Sequence, residues 1–191
     1  DYSIRIEDVL KEHFDEENIV YWMAFQILMG NVDTQNRNVY LYSPLNSDIW
    51  YFIAWDNDGC LMRPEYELRN FSDQNSWEKG ISNYWGNILF QRCLKSRSFR
   101  AKLNDAILDL REYLNKDMLT SKIESYKNVL KPYLYLMPDA EDEPLTSEQY
   151  DQIAASLPDA IAILQSASFK ASTSFTPSPV IATVFPASLS A

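Results

Sequence analysis

Glycine is scarce in this chain, at four of 191 residues, and none stands in a phosphate-loop pattern. Two cysteines, Cys60 and Cys93, cannot build a disulfide framework. Their spacing fits no zinc pattern, and the single His13 offers no partner ligand. They read as core or free thiols. No apolar run reaches the roughly 18 residues that a membrane-spanning helix needs. Positive charge is also short: 17 basic against 27 acidic residues leave a net charge of −10. A surface of that sign repels nucleic-acid phosphates and anionic lipids, which excludes nucleic acid as a partner. Arg92, Lys95, Arg97, Arg100 and Lys102 make one local basic helix face and no larger patch. The chain opens on Asp1 and not on Met, so it is expected to be a cut piece, and the want of a signal peptide says nothing of compartment.

What is present suffices for a folded body. Hydrophobic residues are 46% and aromatics 14%, and a chain of this length buries roughly 70% of its unfolded surface. A short helix is expected around Ile6 to Lys11. Asp15 can cap a second, running through Glu16, Glu17 and Asn18 to Met29, with acids in its first turn and Gly30 after its last. Its residues are apolar nearly all round, which predicts burial. Val39 to Tyr42 and Trp50 to Trp55 are rich in aromatic and β-branched residues, and the turn-forming stretch from Ser43 to Asp48 joins them. This predicts a β-hairpin. Residues 56 to 80 read as a long loop, and loops of that length are often functional.

Helical periodicity returns near Asn87 to Leu94, then over about Ser98 to Asn115 and Leu119 to Leu130. Glu148 to Leu164 reads as a further helix interrupted by Pro158. Seven acids and no base lie between Pro132 and Phe169, which predicts a solvated face. From Ala171 to Ala191 no residue is charged and Ser, Thr, Ala and Pro dominate. The expected organisation is a body over 1–168 and a low-complexity linker, the start of a further domain, or a tag-derived tail over 169–191.

One stretch carries chemistry. Asp33 and Asn38 form Asp-x4-Asn, the hairpin follows, and Asp56 stands just beyond it. Phosphoryl transfer needs a carboxylate to orient the attacking hydroxyl and hard oxygen ligands to fix Mg²⁺ against the phosphates. Protein kinases place these groups on such a loop and hairpin. Plain alternatives exist for each residue. Gly30-Asn31-Val32-Asp33 has turn chemistry, and Asp56-Asn57-Asp58-Gly59 suits a hairpin turn. A calcium loop is ruled out because Cys60 and Leu61 hold its fifth and sixth positions, where an oxygen ligand and a glycine are needed. Tyr40 and Trp50 are candidates for a floor under adenine, against the alternative of ordinary hairpin packing. Asn83, Tyr84, Trp85 and Trp77 belong either to a substrate-facing loop or to the core.

At these residues the chain resembles the CotH kinase family, the spore coat protein H-like proteins. The segments that carry the resemblance are Gly30-Asn31-Val32-Asp33 through Asn38-Val39-Tyr40-Leu41-Tyr42, and Trp50-Tyr51-Phe52-Ile53-Ala54-Trp55-Asp56-Asn57-Asp58. It is dense over residues 15 to 60 and continues to about 165. It implies an atypical protein kinase fold whose members phosphorylate Ser/Thr of proteins outside the cytosol, in spore coats and on bacterial cell surfaces. By resemblance, Asp33 is the catalytic carboxylate, Asn38 and Asp56 are metal ligands, and Asp58 assists. ATP and Mg²⁺ are the implied cofactors, with Mn²⁺ as the alternative metal.

The fold class expected is α+β: a mostly helical domain like a kinase C-terminal lobe, with one catalytic β-hairpin. The phosphate-gripping Lys and Glu of a kinase belong to the smaller lobe, for which too few residues precede the buried helix. That N-terminal lobe is expected upstream in the same protein, so the isolated piece should be nearly inactive. Asn31-Val32 stands where ordinary kinases carry His-Arg, which argues for the atypical class. Two rival readings are a non-catalytic coat or cell-surface assembly module and a small-molecule phosphotransferase.

Overall fold

A computed structural model of the chain describes residues 3–31, Thr34, residues 37–57, Cys60, and residues 87–141 and 145–173. Helix α1 spans Ile6–His13 and α2 Glu16–Leu28. Strands β1 (Tyr40–Tyr42) and β2 (Tyr51–Ile53) form an antiparallel pair with Tyr40 opposite Ile53 and Tyr42 opposite Tyr51. Then come α3 (Ile88–Lys95), α4 (Arg97–Tyr113), α5 (Lys116–Leu134), a 3₁₀ turn at Asp139–Glu141, and α6 (Ser147–Thr173). The protein is therefore mostly helical with one small hairpin, as expected.

Helix starts follow local chemistry. Asp15, Asn87, Ser96 and Asn115 each cap a helix with a side-chain oxygen that accepts from a first-turn backbone N–H. The sequence around α2 is apolar on every side, and its buried residues include Ile19, Val20, Trp22, Met23, Ala24 and Leu28. Such a helix must be wrapped. Helix α4 covers it on one side with Phe99, Leu103, Ala106 and Ile107. The hairpin covers it on another through Phe52.

The hairpin is held by few but specific contacts. Trp22 packs on Phe52 at 4.8 Å between ring centroids and on Phe90 at 5.6 Å, and Phe14 stacks on Phe52 at 5.9 Å. Asn18 addresses the β2 backbone with both ends of its amide. Its Oδ1 accepts from Phe52 N at 2.6 Å and its Nδ2 donates to Phe52 O at 3.2 Å. The Trp22 indole donates to Ile53 O at 3.3 Å. Trp50 joins the α1–α2 junction: its N–H donates to His13 O, and its carbonyl accepts from Asp15 N.

Three details differ from the sequence reading. Helix α6 is not interrupted at Pro158, and α5 likewise continues through Pro132 to Leu134. A proline ring already holds the helical φ, and its cost is a lost hydrogen bond and crowding one turn back. In α6 that turn carries small Ala154, and burial of Ala154, Pro158 and Ile161 on one face offsets the loss. Second, the basic residues near 92–102 are not one face. They divide between α3 and α4, and three are engaged locally. Arg92 donates to Ile4 O, Arg100 to the α3 C-terminal carbonyls of Leu94 and Lys95, and Lys102 pairs with Glu16 at 2.6 Å. Third, the acidic stretch is not simply solvated. Asp151 meets Lys131 at 2.6 Å, and Asp159 meets Lys116. Helix α6 runs to Thr173.

Two expectations follow. Replacing Asn18 with Leu strips both partners from the Phe52 backbone while preserving size. Urea unfolding should show a loss of about 2–3 kcal/mol; a loss below ~0.5 kcal/mol would show that the amide does not hold the strand. The second concerns Cys93, which is fully buried in α3. Burial pushes its thiol up from 9.0 to about 12. Between those values the unfolded chain releases a proton that the folded chain keeps. Stability should therefore fall as pH rises above 9, by up to about 1.4 kcal/mol per pH unit from this group. The difference between wild type and Cys93→Ala, measured by urea unfolding across alkaline pH, should isolate that slope.

Candidate functional site

The site grows from the way α2 stops. Gly30 adopts φ 59°, a left-handed conformation open to glycine without a Cβ clash. Gly30 N–H then donates to Ile27 O at 3.2 Å and Asn31 N–H to Gln26 O at 3.0 Å. This paired closure is a Schellman motif, which satisfies the last carbonyls of a helix and turns the chain back on itself. It throws Asn31 onto Gln26, and the Asn31 Nδ2 donates to Gln26 Oε1 at 2.9 Å. The same Nδ2 reaches Asn57 Oδ1 at 3.2 Å. One amide thus fastens the chain leaving α2 to the chain leaving β2.

Gln26 and Asn31 are buried, as is Thr34. Buried polar groups are made to hydrogen-bond by the cost of losing water. Gln26 Nε2 is a buried donor with no hydrogen-bond partner among the described residues. Asp33 itself lies outside the described residues, but its described neighbours Asn31 and Thr34 both dip into the interior. Asp58 and the expected loop beyond Cys60, with Trp77 and Asn83 to Trp85, also lie outside.

Asn38 and Asp56 flank the open end of the hairpin, one before β1 and the other after β2. Both hold left-handed backbone, at φ 52° and φ 49°. For a residue with a Cβ this conformation is strained, and Asn and Asp tolerate it best. Such strain concentrates at functional positions. Among the described residues no group of three or more His, Cys, Asp and Glu stands together as a metal cluster. The donor types at 38 and 56, an amide and a carboxylate oxygen, nonetheless fit a hard divalent cation.

The aromatic candidates separate. Strand alternation and the register put Tyr40, Tyr42, Tyr51 and Ile53 on one face, with Leu41 and Phe52 on the other. Tyr40 is about half exposed, and Trp55 lies against it at 5.1 Å between centroids. Trp50 has the parity of Phe52, so Tyr40 and Trp50 do not share one platform. The sequence reading did not single out Trp55 as a neighbour of Tyr40 on this face. Its signal was available: Tyr51, Ile53 and Trp55 alternate on the same face. Asn31, Asn57 and Gln26 were also missed as a linked group, since amides in turns carry no pattern of their own.

A separate groove runs between α2 and α4, lined by Glu16, Glu17, Val20, Tyr21, Lys102, Asp105, Ala106 and Asp109. Two pairs of its polar groups are engaged with each other. Lys102 pairs with Glu16, and the Tyr21 phenol donates to Asp109 Oδ2 at 2.8 Å, which holds the phenol above its ordinary pKa. The groove does not include the hairpin end.

The Asn31 node is open to test. Asn31→Ala removes a donor and should cost about 2 kcal/mol in urea unfolding. Asn31→Asp should cost more, because it sets a buried carboxylate against two carbonyl oxygens, and the gap should narrow as falling pH protonates it. Equal losses at neutral pH would contradict the bond pattern. Comparison with known proteins bears on the same segment. No curated protein and no solved structure matches the chain. The sequence profile described as CotH kinase protein matches residues 2–162, which takes in α2, the hairpin and the helices through the buried part of α6. The chain belongs to the CotH kinase family.

Proposed function

We propose that this chain carries the catalytic half of an atypical protein kinase, which moves a phosphoryl group from Mg-ATP to Ser/Thr hydroxyls of extracytoplasmic or spore-coat proteins. A kinase-like function in general follows from the family. The observation that carries the finer reading is the Asn31–Asn57 bond. It ties the loop that holds Asp33 to the segment that holds Asp56.

In this reading Asp33 accepts a hydrogen bond from the substrate hydroxyl and aims it in line with the transferring group. Asn38 and Asp56, with Asp58 beside them, hold Mg²⁺, or Mn²⁺ in its place. The bound cation supplies charge neutralisation on the transferring phosphoryl group. Tyr40, braced by Trp55, gives the adenine a flat face. Trp50 takes a structural part instead, at the junction with Phe14. The phosphate-gripping Lys and Glu come from an N-terminal lobe upstream of Asp1, which docks over the exposed hairpin face. Residues 1–168 then serve as the C-terminal lobe and 169–191 as a linker or tail. The spore-coat association is the family's, and among the described residues no helix is long and apolar enough to cross a membrane.

The test is labelled-phosphate transfer from ATP by the protein carrying its upstream segment. Protein acceptors should be labelled, and Asp33→Ala or Asp56→Ala should each lower turnover by at least ~10²-fold. Full activity in both variants would overturn the mechanism. Transfer to an aminoglycoside and not to protein would assign the small-molecule class. No transfer from the intact protein would favour the assembly module.

A further inference from the structure

Between Phe14 and Met62 the sequence holds seven acids and a single base, Arg37. That stretch carries α2, the hairpin and every residue assigned above to the cation. Elsewhere several of the described bases serve the fold: Lys102 takes Glu16, Lys116 takes Asp159 and Lys131 takes Asp151. Arg37 takes no such part. It is exposed, and among the described residues it makes no hydrogen bond or ion pair. The strand register defines its place. Tyr40 stands opposite Ile53, so three positions further out Arg37 comes level with Asp56. The ladder has ended there, and the left-handed backbone of Asn38 and Asp56 turns the chain. Positions 37 and 56 therefore share the open end of the hairpin without bonding across it. Asp56 is exposed as well. A guanidinium and a carboxylate that face one opening without closing on each other suit a ligand that takes both, a metal ion on the carboxylate and its anion on the guanidinium.

We propose that Arg37 is a further catalytic residue, which grips the terminal phosphoryl group of ATP. The inference rests on the kinase reading and names the cation that this half of the protein contributes. Three points select that group. The planar guanidinium fork matches phosphate oxygens two at a time. A kinase metal ion bridges the outer phosphates, and Arg37 adjoins Asn38, one of the residues proposed to hold it. The Lys of a kinase N-terminal lobe grips the inner phosphates, which leaves the terminal one to the half that aims the hydroxyl. In the transfer, the bond from the terminal phosphorus to the ADP oxygen breaks and ADP keeps its electron pair. The bond to the Ser/Thr oxygen forms, and the hydroxyl proton passes to the Asp33 carboxylate. Arg37 gives and takes no proton. It offsets the negative charge on the moving group, in a segment whose other charged side chains are all acidic.

Titration calorimetry with Mg-ATP and Mg-ADP, on the protein carrying its upstream segment, reads the contact without turnover. Arg37→Ala should weaken Mg-ATP by about 10-fold or more and Mg-ADP by less than about 2-fold, with an unchanged melting temperature because the side chain is exposed. Phosphate transfer should fall by about 10²-fold or more. Arg37→Lys should recover only part of both losses, since an ammonium keeps the charge and lacks the fork. Equal weakening of the two nucleotides, or none of either, overturns the proposal. So does a raised KM for the protein acceptor with ATP affinity unchanged, which would place Arg37 on the acceptor side. A wild-type protein that binds Mg-ATP through Arg37 and transfers to no acceptor overturns the kinase reading and leaves the phosphate contact standing. A wild-type protein that binds neither nucleotide overturns both.

Discussion

The whole arrangement depends on how a three-residue strand is held against α2. A two-stranded hairpin is marginal by itself in water, and here β1 is exposed along its length. Phe52 is the one hairpin-strand side chain that is buried, and it enters an aromatic nest of Phe14, Trp22 and Phe90. Burial of one ring gives affinity for the core but does not fix rotation or register. Polar groups add what the ring lacks. The Asn18 amide bonds both backbone groups of Phe52, and the Trp22 indole bonds the carbonyl of the next residue. Because Asn18 also lies in the first turn that Asp15 caps, the start of α2 and the hairpin share one reference point.

The far end of α2 supplies the second reference point. Gly30 stops the helix, Asn31 folds back onto Gln26, and the same amide reaches Asn57. The hairpin and the loop after α2 are thereby both referred to one rigid helix. Chemistry that sets a catalytic acid beside a cation held from another segment needs that kind of support, since misplacement by about 1 Å can cost 10²-fold in rate. The left-handed residues 38 and 56 bend the chain where the hairpin opens, so the support and the bend occur together.

Much of this was legible in the residues. Asp15 before two glutamates, the apolar run to Met29 and the following Gly30 mark α2 to within a residue. Aromatic runs around a Pro-Leu-Asn-Ser turn mark the hairpin, and Asp-x4-Asn followed by Trp-Asp marks the family. What escaped the reading has physical causes. Pro158 breaks a helix in isolation but not when its face is buried, and burial is a tertiary property. Trp50 and Tyr40 look alike in sequence, yet register alone decides which face each takes. The basic cluster near 92–102 separated because two helices meet within it and Arg100 turned to cap one of them. The acidic stretch after Pro132 read as solvated, but Asp151 is paired with Lys131, whose aliphatic stem lies along the protein surface.

The left-handed backbone at positions 38 and 56 also limits which residues can occupy them. On the proposed reading each must present an oxygen on a short stem, and each must accept a positive φ. Glycine meets the second demand and fails the first. Glutamate and glutamine reverse that, and a β-branched residue fails the second. Only asparagine and aspartate satisfy both, so main-chain geometry and coordination chemistry select the same pair of amino acids independently. Relaxing the bend with glycine would ease the fold and leave the cation with nothing to grasp, so comfort of the chain and competence of the centre cannot be improved together at these two points.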